Sequence, residues 1–366
     1  MNPLEKIKKA STIKETSILS KSKIYGKKDM APTDVPAVNL ALSGKIDGGL
    51  APGTTMIAGP SKHFKSMFAL FLASAYMKHR PDAVMLFYDN EFGTPESYFE
   101  AFDIDPERVV HVPIIDVEQL KHDIINQLTT LEKEDDVVIV IDSIGNIASR
   151  KEIEDAKKGD IKAEMQRAKS LKSFWRMVTP YLNIKDIPLI AVNHSYQTIE
   201  MFSKQQVSGG TGGIYSADNI WLIGRQQHKK SGGPLLGYNF IIKLDKSRFA
   251  KEGSKIPITV MFDGGLQKWS GMFDIAKEAG YIQQSGRGWY ESINPETGEV
   301  ISDKKFQEAD TLTSDEIWNN IFQKTNFKQF VEQVYAYGGG KFELFVDEMP
   351  DGDEEPQGEE DEEQSG

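Results

Sequence analysis

Residues 56–68, MIAGPSKHFKSMF, contain most of a phosphate-binding loop. The usual pattern of such a loop is G-x-x-x-x-G-K-[ST]. Gly59, Lys65 and Ser66 fit this pattern, whereas Phe64 occupies the position of the second glycine. In such loops backbone N–H groups hold phosphate oxygens, the lysine neutralises β- and γ-phosphate charge, and the hydroxyl binds Mg²⁺. The spacing therefore indicates a nucleotide site with a variant loop.

Three matching positions are weak evidence alone, because a chain of this length contains roughly 0.2 such matches by chance. The setting strengthens the match, since the loop follows a strand-like run, TTMIAG, and opens a helix-like run, KSMFALFLASAYMKH. The alternative is a lysine in the first turn of an ordinary helix. The predicted nucleotide-binding residues of the loop are Gly59, Pro60, Ser61, Lys62, His63, Phe64, Lys65 and Ser66.

A phenylalanine at position 64 is costly if its φ is positive. We predict a left-handed or otherwise strained backbone at Phe64, with the ring packed away from the phosphates. An ordinary helical backbone there would mean that the loop is rebuilt.

Further polar residues follow other strand-like runs. VVIVID ends at Asp142, LFYDNEFG offers Asp89 and Glu91, and AVNHSY contains Asn193 and His194. The carboxyl ends of parallel strands face the nucleotide crevice, where Asp142 could hold Mg²⁺ and an acid of the second run could act as general base. Each acid could instead cap a helix or turn, and an isolated histidine is more often a surface residue. Six histidines without cysteine do not indicate a zinc site.

Two polar segments follow these strands. Residues 149–162 are rich in Lys and Arg, and residues 195–213 form a long connection with a glycine cluster. Apolar, basic and glycine residues in a long loop suit single-stranded nucleic acid, although the first segment could also be a solvated charged helix. The candidate DNA contacts are Arg150, Lys151, Lys157, Lys158, Lys162, Ile199, Met201, Phe202, Lys204, Gly209, Gly210, Thr211, Gly212 and Gly213.

The order of apolar runs predicts an α/β protein. Unbroken β-branched runs alternate with amphipathic segments up to about residue 269, which favours a mostly parallel sheet that ends in an antiparallel section. Residues 1–30 should form a helix and an extended arm, residues 31–269 the core, and residues 270–345 a small α+β domain with a helical stretch near residues 315–337.

Charge is unevenly distributed. The net charge is -12, but residues 347–366 contain 11 acids and no Lys or Arg, so the remainder is nearly neutral. We expect residues 346–366 to be a disordered acidic tail that either solubilises the chain or mimics nucleic-acid charge. The sequence shows no signal peptide, membrane span or cysteine, which fits a protein of the cytoplasm.

Taken in order, these segments resemble the RecA family of recombinases and, within it, those of T-even-type phages. The resemblance rests on NLALSGKIDGG, AGPSKHFKSMF, DAVMLFYDNEFG, VVIVIDSIGN, EMFSK, GGTGGIYSAD, DKSR and FDGG, and it weakens after about residue 299. The phage variant of the phosphate loop is similar to GPSK-x-FKS, so Phe64 strengthens the match. The implied fold is a RecA-like ATPase core.

The resemblance also implies roles for single residues. Lys65 and Ser66 would bind ATP and Mg²⁺ together with Asp142, Glu91 would be the catalytic base, and Tyr98 would stack on adenine. His194, where bacterial members have glutamine, would link the γ-phosphate to the second DNA loop. The remaining implied catalytic and assembly residues are Lys246 and Arg248, which would reach the ATP of a neighbouring protomer, and Ile24 and Tyr25 of the polymerisation arm.

The expected function is ATP-dependent DNA strand exchange by helical filaments on single-stranded DNA, paired with a homologous duplex. Expected partners are a recombination mediator and a single-strand-binding protein, with no membrane. Two alternatives are a ring helicase with a RecA fold and a non-catalytic mediator that binds nucleic acid.

Overall fold

A computed structural model describes residues 2–158, 164–197, 205–229 and 232–337 of the protein. The strands of this part of the chain are β1 (Gly53–Gly59), β2 (Val84–Asp89), β3 (Val109–Pro113), β4 (Val137–Asp142), β5 (Pro188–Gln197), β6 (Gln205–Val207), β7 (Asn219–Lys229), β8 (Leu235–Ser247), β9 (Lys255–Met261), β10 (Gly265–Leu266), β11 (Ile282–Gly286) and β12 (Trp289–Ser292).

Ten of these strands form one sheet in the order β10-β9-β8-β7-β1-β5-β4-β2-β3, and β6 pairs with the end of β5. Every pair from β7 across to β3 is parallel. The pairs from β7 out to β10 are antiparallel. The predicted mostly parallel sheet with an antiparallel end is therefore confirmed.

The described helices are α1 (Pro3–Ala10), α2 (Pro36–Ser43), α3 (Lys65–His79), α4 (Glu96–Ala101), α5 (Val117–Thr130), α6 (Arg150–Lys158), α7 (Glu164–Lys185), α8 (Thr211–Ser216), α9 (Met272–Glu278), α10 (Asp315–Lys324) and α11 (Phe327–Tyr335). Local sequence sets several of their ends. Asp116 caps α5 by accepting a hydrogen bond from the Gln119 N–H at 2.7 Å, and Gly44 ends α2 in a left-handed conformation.

The central strands are buried on both faces, which explains their unbroken apolar sequences. In β4, Val138 and Val140 face one hydrophobic cluster, whereas Ile139 and Ile141 face the other. The first cluster contains α2 and α3, and the second contains α5 and α7. Helices on both faces thus hold the central strands in place, and the candidate site lies at the carboxyl ends of these strands.

The C-terminal part of the described chain consists of α9, the β11–β12 hairpin, α10 and α11. The predicted helical stretch is two helices, separated at Thr325 and Asn326. Trp318 and Phe327 of this region belong to the same hydrophobic cluster as α2 and α3. The boundary at residue 270 stays a prediction, and the expected acidic tail lies outside the described residues.

At the other end of the chain, α1 is the expected N-terminal helix, and none of its residues is buried. The following arm is anchored near its end, where Lys28 pairs with Asp186. Among the described helices, none has the length and apolar character that a membrane crossing requires.

Candidate functional site

The phosphate loop joins the middle of the sheet to α3. β1 lies between β5 and β7 and ends at Gly59, and α3 begins at Lys65. Phe64 has φ 56° and ψ 26°, the left-handed conformation that we predicted. Lys62 is also left-handed, with φ 61°. The loop therefore keeps the backbone that a glycine would favour, at a cost of about 1 kcal/mol for the side chain that replaces it.

The ring of Phe64 is packed away from the inside of the loop. Its centroid lies 5.1 Å from that of Phe240 and 6.4 Å from that of Tyr238, both on β8. This confirms the predicted placement of the ring. Packing against β8 offsets the backbone cost, because it removes aromatic surface from water.

Lys65 lies inside the loop. Its side chain is buried, and its ammonium donates to the Pro60 carbonyl at 2.9 Å. Burial lowers the pKa of Lys65, and the carboxylates of Glu91 and Asp142 oppose that shift. The amine thus shares one electrostatic environment with both acids, as the sequence predicted.

Strand register brings the other candidates to the same edge of the sheet. Gly59 pairs with His194 between β1 and β5, and Asp89 pairs with Asp142 between β2 and β4. All four lie at the carboxyl ends of parallel strands, where open α/β sheets bind ligands. The four sequence segments therefore form one site.

Glu91 is held by hydrogen bonds from three side chains. The Ser143 hydroxyl donates to Oε1 at 2.5 Å, the Asn146 amide donates to it at 3.0 Å, and His194 Nε2 lies 3.1 Å from the same oxygen. Burial raises the pKa of Glu91, but the hydrogen bonds from Ser143 and His194 outweigh burial and lower it overall. Glu91 is thus an ionised carboxylate in a fixed orientation.

Asp89 positions Glu91 and does not compete with it. The buried Asp89 carboxylate accepts hydrogen bonds from the backbone N–H groups of Glu91 at 3.0 Å and Phe92 at 2.8 Å. Its second oxygen lies 3.4 Å from His111 Nε2. Of the two acids that the sequence offered, Asp89 shapes the turn and Glu91 projects from it.

Asp142 suits a magnesium ion. Its side chain is buried, and Oδ1 has no hydrogen-bond partner among the described residues, while Thr94 donates to Oδ2 at 3.3 Å. Burial raises the pKa of Asp142 to about 6, the charges of Glu91 and Asp89 add to this, and a hydrogen bond from Ser66 opposes it. A desolvated, unpartnered carboxylate oxygen beside a hydroxyl is the oxygen chemistry that Mg²⁺ takes.

Comparisons with known proteins identify the family of the chain. The chain is 46% identical to the recombination and repair protein of Enterobacteria phage T4 over 332 residues, covering 90% of this chain and 85% of the T4 protein. Residues 269–331 match the family described as "Bacteriophage T4, Recombination and repair protein, C-terminal domain". The chain belongs to the RecA family of recombinases, in the branch of phage T4 UvsX.

More distant relatives lie in the same family. Protein RecA of Tropheryma whipplei is 25% identical, covering 82% of this chain and 67% of that protein, and protein RecA of Nocardia farcinica is 26% identical, covering 80% and 82%. A crystal structure of the RadB recombinase aligns with a TM-score of 0.46 and 19% identity, covering 65% of this chain and 98% of RadB. The matches to the T4 protein and to bacterial RecA thus agree on one family of recombination proteins.

The tip of β5 connects the site to the second segment that was assigned to DNA. The buried Asn193 amide donates to the Ser208 carbonyl at 3.0 Å, and the Ser208 N–H donates to the His194 carbonyl at 2.9 Å. β6 also pairs with β5 at Ser195 and Tyr196. The histidine that contacts Glu91 is therefore in the same strand that holds the returning end of this segment.

Lys246 and Arg248 lie at the opposite edge of the sheet from their own phosphate loop. Arg248 Nε lies 2.5 Å from Asp218, whose other oxygen accepts the Thr54 N–H at 2.8 Å. Thr54 is five residues before Gly59 in β1, about 17 Å along the strand. Neither cation can serve the loop of its own chain in this arrangement, and their role toward a neighbouring protomer stays a prediction.

The described part of the first segment that was assigned to nucleic acid is helical. We expected a loop over residues 149–162, but residues 150–158 form α6, the charged-helix alternative. Lys157 and Lys158 are exposed on it, Arg150 lies 3.6 Å from Asp116, and Lys151 pairs with Asp155. Alternating charges and i,i+4 pairing favour the helix. Lys162 lies outside the described residues.

The glycine cluster of the second segment has a packing role. Gly209 and Gly210 have φ of 92° and 79°, and Thr211 begins α8. Gly212 and Gly213 are buried against α7. The approach is so close that a Cβ added at Gly212 would lie only 2.8 Å from the Lys172 Cα. The glycines let two helices approach closely, which the sequence did not predict. The apolar and basic candidates Ile199, Met201, Phe202 and Lys204 lie outside the described residues.

The remaining candidates lie apart from Glu91. Tyr98 is half-buried on α4 and packs against the hydrophobic cluster of α3. Ile24 is half-buried and Tyr25 is exposed on the N-terminal arm. Their roles, in adenine stacking and polymerisation, stay predictions. Ser143 and Asn146 were not predicted, although both lie in the segment VVIVIDSIGN that identified Asp142.

Proposed function

We propose that the protein is a DNA-dependent ATPase that couples ATP hydrolysis to DNA strand exchange. One observation carries this proposal: Glu91 is ionised and fixed by Ser143, Asn146 and His194 at the sheet edge that also presents Lys65. A positioned base and a positioned cation at a phosphate loop are what phosphoryl transfer to water requires.

Glu91 would act on water through its Oε2 atom. All three side-chain hydrogen bonds described for this carboxylate end on Oε1. Oε2 is therefore the oxygen that can accept a proton from an attacking water, and the lowered pKa keeps it deprotonated at neutral pH.

The loop would neutralise the negative charge of the phosphates. Its backbone N–H groups and Lys65 would bind phosphate oxygens, with Tyr98 against the adenine. Mg²⁺, when bound, would be held by Ser66 and Asp142 and would neutralise charge on the phosphate oxygens. Burial lowers the pKa of Lys65 because it removes water from the ammonium. A phosphate oxygen that enters the loop would replace part of this lost solvation.

We further propose that protomers assemble head to tail into helical filaments on single-stranded DNA. Lys246 and Arg248, at the end of the sheet opposite their own phosphate loop, would face the ATP of the next protomer, and the arm with Ile24 and the exposed Tyr25 would dock on it. A heterologous contact of this kind propagates without closing. The segments near residues 149–162 and 195–213 would bind DNA, which is then paired with a homologous duplex.

The proposed setting is homologous recombination, repair and recombination-dependent replication in the host cytoplasm. A mediator and a single-strand-binding protein would act with the filament. DNA affinity should fall with salt at a slope of about -0.7 per single-strand phosphate neutralised.

The test combines the wild type and two variants with two assays. ATP hydrolysis is measured with and without single-stranded DNA, and strand exchange is measured with a homologous duplex. DNA-stimulated hydrolysis and exchange are expected in the wild type and lost in Lys65→Ala. Lys45→Ala, which removes an exposed lysine outside the phosphate loop, is the matched control and should keep both.

Electron microscopy with ATP and single-stranded DNA completes the test. Helical filaments are expected. Closed hexamers would replace the proposal with a ring helicase, and wild-type protein that binds DNA without DNA-stimulated hydrolysis would replace it with a non-catalytic mediator.

A further inference from the structure

A groove of about 670 Å³ runs along α3, on the side away from the phosphate-facing surface of the loop. Its floor is one face of the helix, where Met67, Phe71, Ala75 and Lys78 follow one another at intervals of three and four residues. Phe64 lies at one end of this face, so the floor is about 21 Å long. This apolar face of α3 has no covering element among the described residues along the groove.

The walls come from three other parts of the chain. Val260 and Leu266 line one side, Phe102 lines another, and Val35 lies beside the helix α2 that it caps. Lys65, Ser66, Glu91, Asp142 and Tyr98 do not line the groove. It is therefore distinct from the proposed phosphate and magnesium positions.

The described chain ends beside the C-terminal end of α2, whose N-terminal cap residue lines the groove. The Tyr337 N–H donates to the Phe249 carbonyl at 2.9 Å, and Ala336 lies against Gly44, where an added Cβ would be 2.6 Å from the Ala336 Cα. Gly44 ends α2, and Val35, nine residues earlier, lines the groove. The helix covers about 14 Å between them. Five further residues, as far as position 342, can span about 17 Å.

The sequence that follows has the composition that the groove requires. Residues 342–349 read FELFVDEM and combine apolar with acidic side chains. Phe342 and Val346 share one face in either a helical or an extended conformation, and Glu343 and Asp347 share a different one. Eight residues span about 12 Å as a helix and about 26 Å as a strand, so either fits along the floor.

The charges at the groove favour an acidic occupant. Lys78 and Lys268 line it, each in an exposed ion pair, with Asp103 and Asp315 respectively, and Asp34 is the one acid among its lining residues. Exposed pairs of this kind are weak, so both lysines can exchange partners. The exposed N-terminal helix α1 of a second copy also offers apolar residues, Leu4 and Ile7, but it carries Lys6, Lys8 and Lys9. Repulsion between like charges disfavours that occupant.

We propose that residues 342–349 dock into this groove within the same chain, with Phe342 and Val346 against α3 and the acids toward Lys78 and Lys268. This docking goes beyond the proposed recombinase function. It covers apolar surface on α3 and the part of Phe64 that lines the groove.

Disulfide trapping in the full-length chain tests the docking, because the sequence contains no cysteine. Phe71→Cys is combined with Val346→Cys in one variant and with Asp347→Cys in its control. The two tail positions have almost the same tether length, so an undocked tail would react equally at both. We expect the Val346→Cys variant to form its disulfide about fivefold faster, within single chains and independently of protein concentration.

Ala75→Cys replaces Phe71→Cys as a second groove position, since it changes the side-chain volume little and lines the same floor. Equal rates at the two tail positions would overturn the proposal with either groove cysteine. Disulfide-linked dimers would overturn it in favour of a second copy.

A dye that binds apolar surface gives an independent readout that does not depend on ATP hydrolysis or on any cysteine. Full-length protein with Phe342→Asp and Val346→Asp should show roughly twofold higher dye fluorescence, because the groove is uncovered. Asp351→Ala with Asp353→Ala, which removes two acids beyond the docked segment, is the control and should leave fluorescence nearly unchanged. Unchanged fluorescence in the first variant would contradict docking, whether or not the recombinase proposal holds.

Discussion

His194 Nε2 lies 3.1 Å from Glu91 Oε1 and so joins the tip of β5 to the carboxylate that follows β2. The same strand holds Ser208 through the Asn193 amide and the His194 carbonyl. Two hydrogen bonds, both made by His194, therefore connect Glu91 to Ser208 in the segment that we assign to DNA. The contact gives His194 a direct part in setting the ionisation of the proposed base.

Loss of His194 should raise the pKa of Glu91. Burial raises that pKa, and the hydrogen bonds from Ser143 and His194 lower it below the usual value. Without the imidazole, the acid limb of the ATPase rate against pH should move upward by about 0.5–1 pH unit in His194→Ala. His194→Gln keeps an N–H donor and should move it less. An acid limb at the same pH in wild type and His194→Ala would show that the contact does not tune Glu91.

Glu91→Ala should separate binding from turnover. Removal of the base leaves Lys65 and the loop in place, so ATP binding should persist while hydrolysis falls by on the order of 10²-fold or more. Titration with a fluorescent ATP analogue and a steady-state hydrolysis assay measure the two quantities. Glu96→Ala, which removes an exposed acid at the start of α4, is the matched control. Unchanged hydrolysis in Glu91→Ala would assign the base to another residue.

Phe64 should reverse the usual order of stability between alanine and glycine. Both Phe64→Ala and Phe64→Gly lose the ring contacts with Phe240 and Tyr238. Only the glycine variant also loses the left-handed strain, since φ is 56°. Phe64→Gly should therefore be about 1 kcal/mol more stable than Phe64→Ala in urea unfolding, and both should be less stable than wild type. A more stable alanine variant would mean that the backbone has left the left-handed region.

Sequence patterns predicted those parts of the site that depend only on local features of the chain. Unbroken apolar runs identified the parallel strands, and polar residues at their ends placed Lys65, Glu91, Asp142 and His194 at one edge. The left-handed Phe64 followed from its position in the loop. Each of these inferences uses only a residue and its local neighbours.

The parts that were not predicted depend on contacts between distant segments. Asp89 and Glu91 were equivalent in the sequence, and only the turn geometry shows that Asp89 accepts the backbone N–H of Glu91. No sequence pattern distinguished Ser143, and only the structure shows that its hydroxyl donates to Glu91. The packing role of Gly212 arises from the approach of α7, which lies some 40 residues earlier in the chain at Lys172.

Asp142→Asn should stabilise the free protein at neutral pH. The pKa of Asp142 is raised by burial to about 6 in the folded state, against about 3.9 in an unfolded chain. Between these values the folded state binds more protons, so this group lowers stability as pH rises from about 4 to about 6. The penalty at pH 7 is at most about 3 kcal/mol, and asparagine removes it while keeping an acceptor for Thr94.

Urea unfolding without nucleotide and with a chelator present measures this effect. Asp142→Asn should exceed wild type by roughly 1–3 kcal/mol at pH 7, and the difference should shrink toward zero near pH 4, where the wild-type carboxyl is protonated. Asp82→Asn, at an exposed position, is the control and should change little at either pH. Equal stability of Asp142→Asn and wild type at pH 7 would mean that the carboxylate is not desolvated in the free protein. If Asp142→Asn is more stable than wild type but does not hydrolyse ATP, the buried carboxylate destabilises the fold and is needed for hydrolysis.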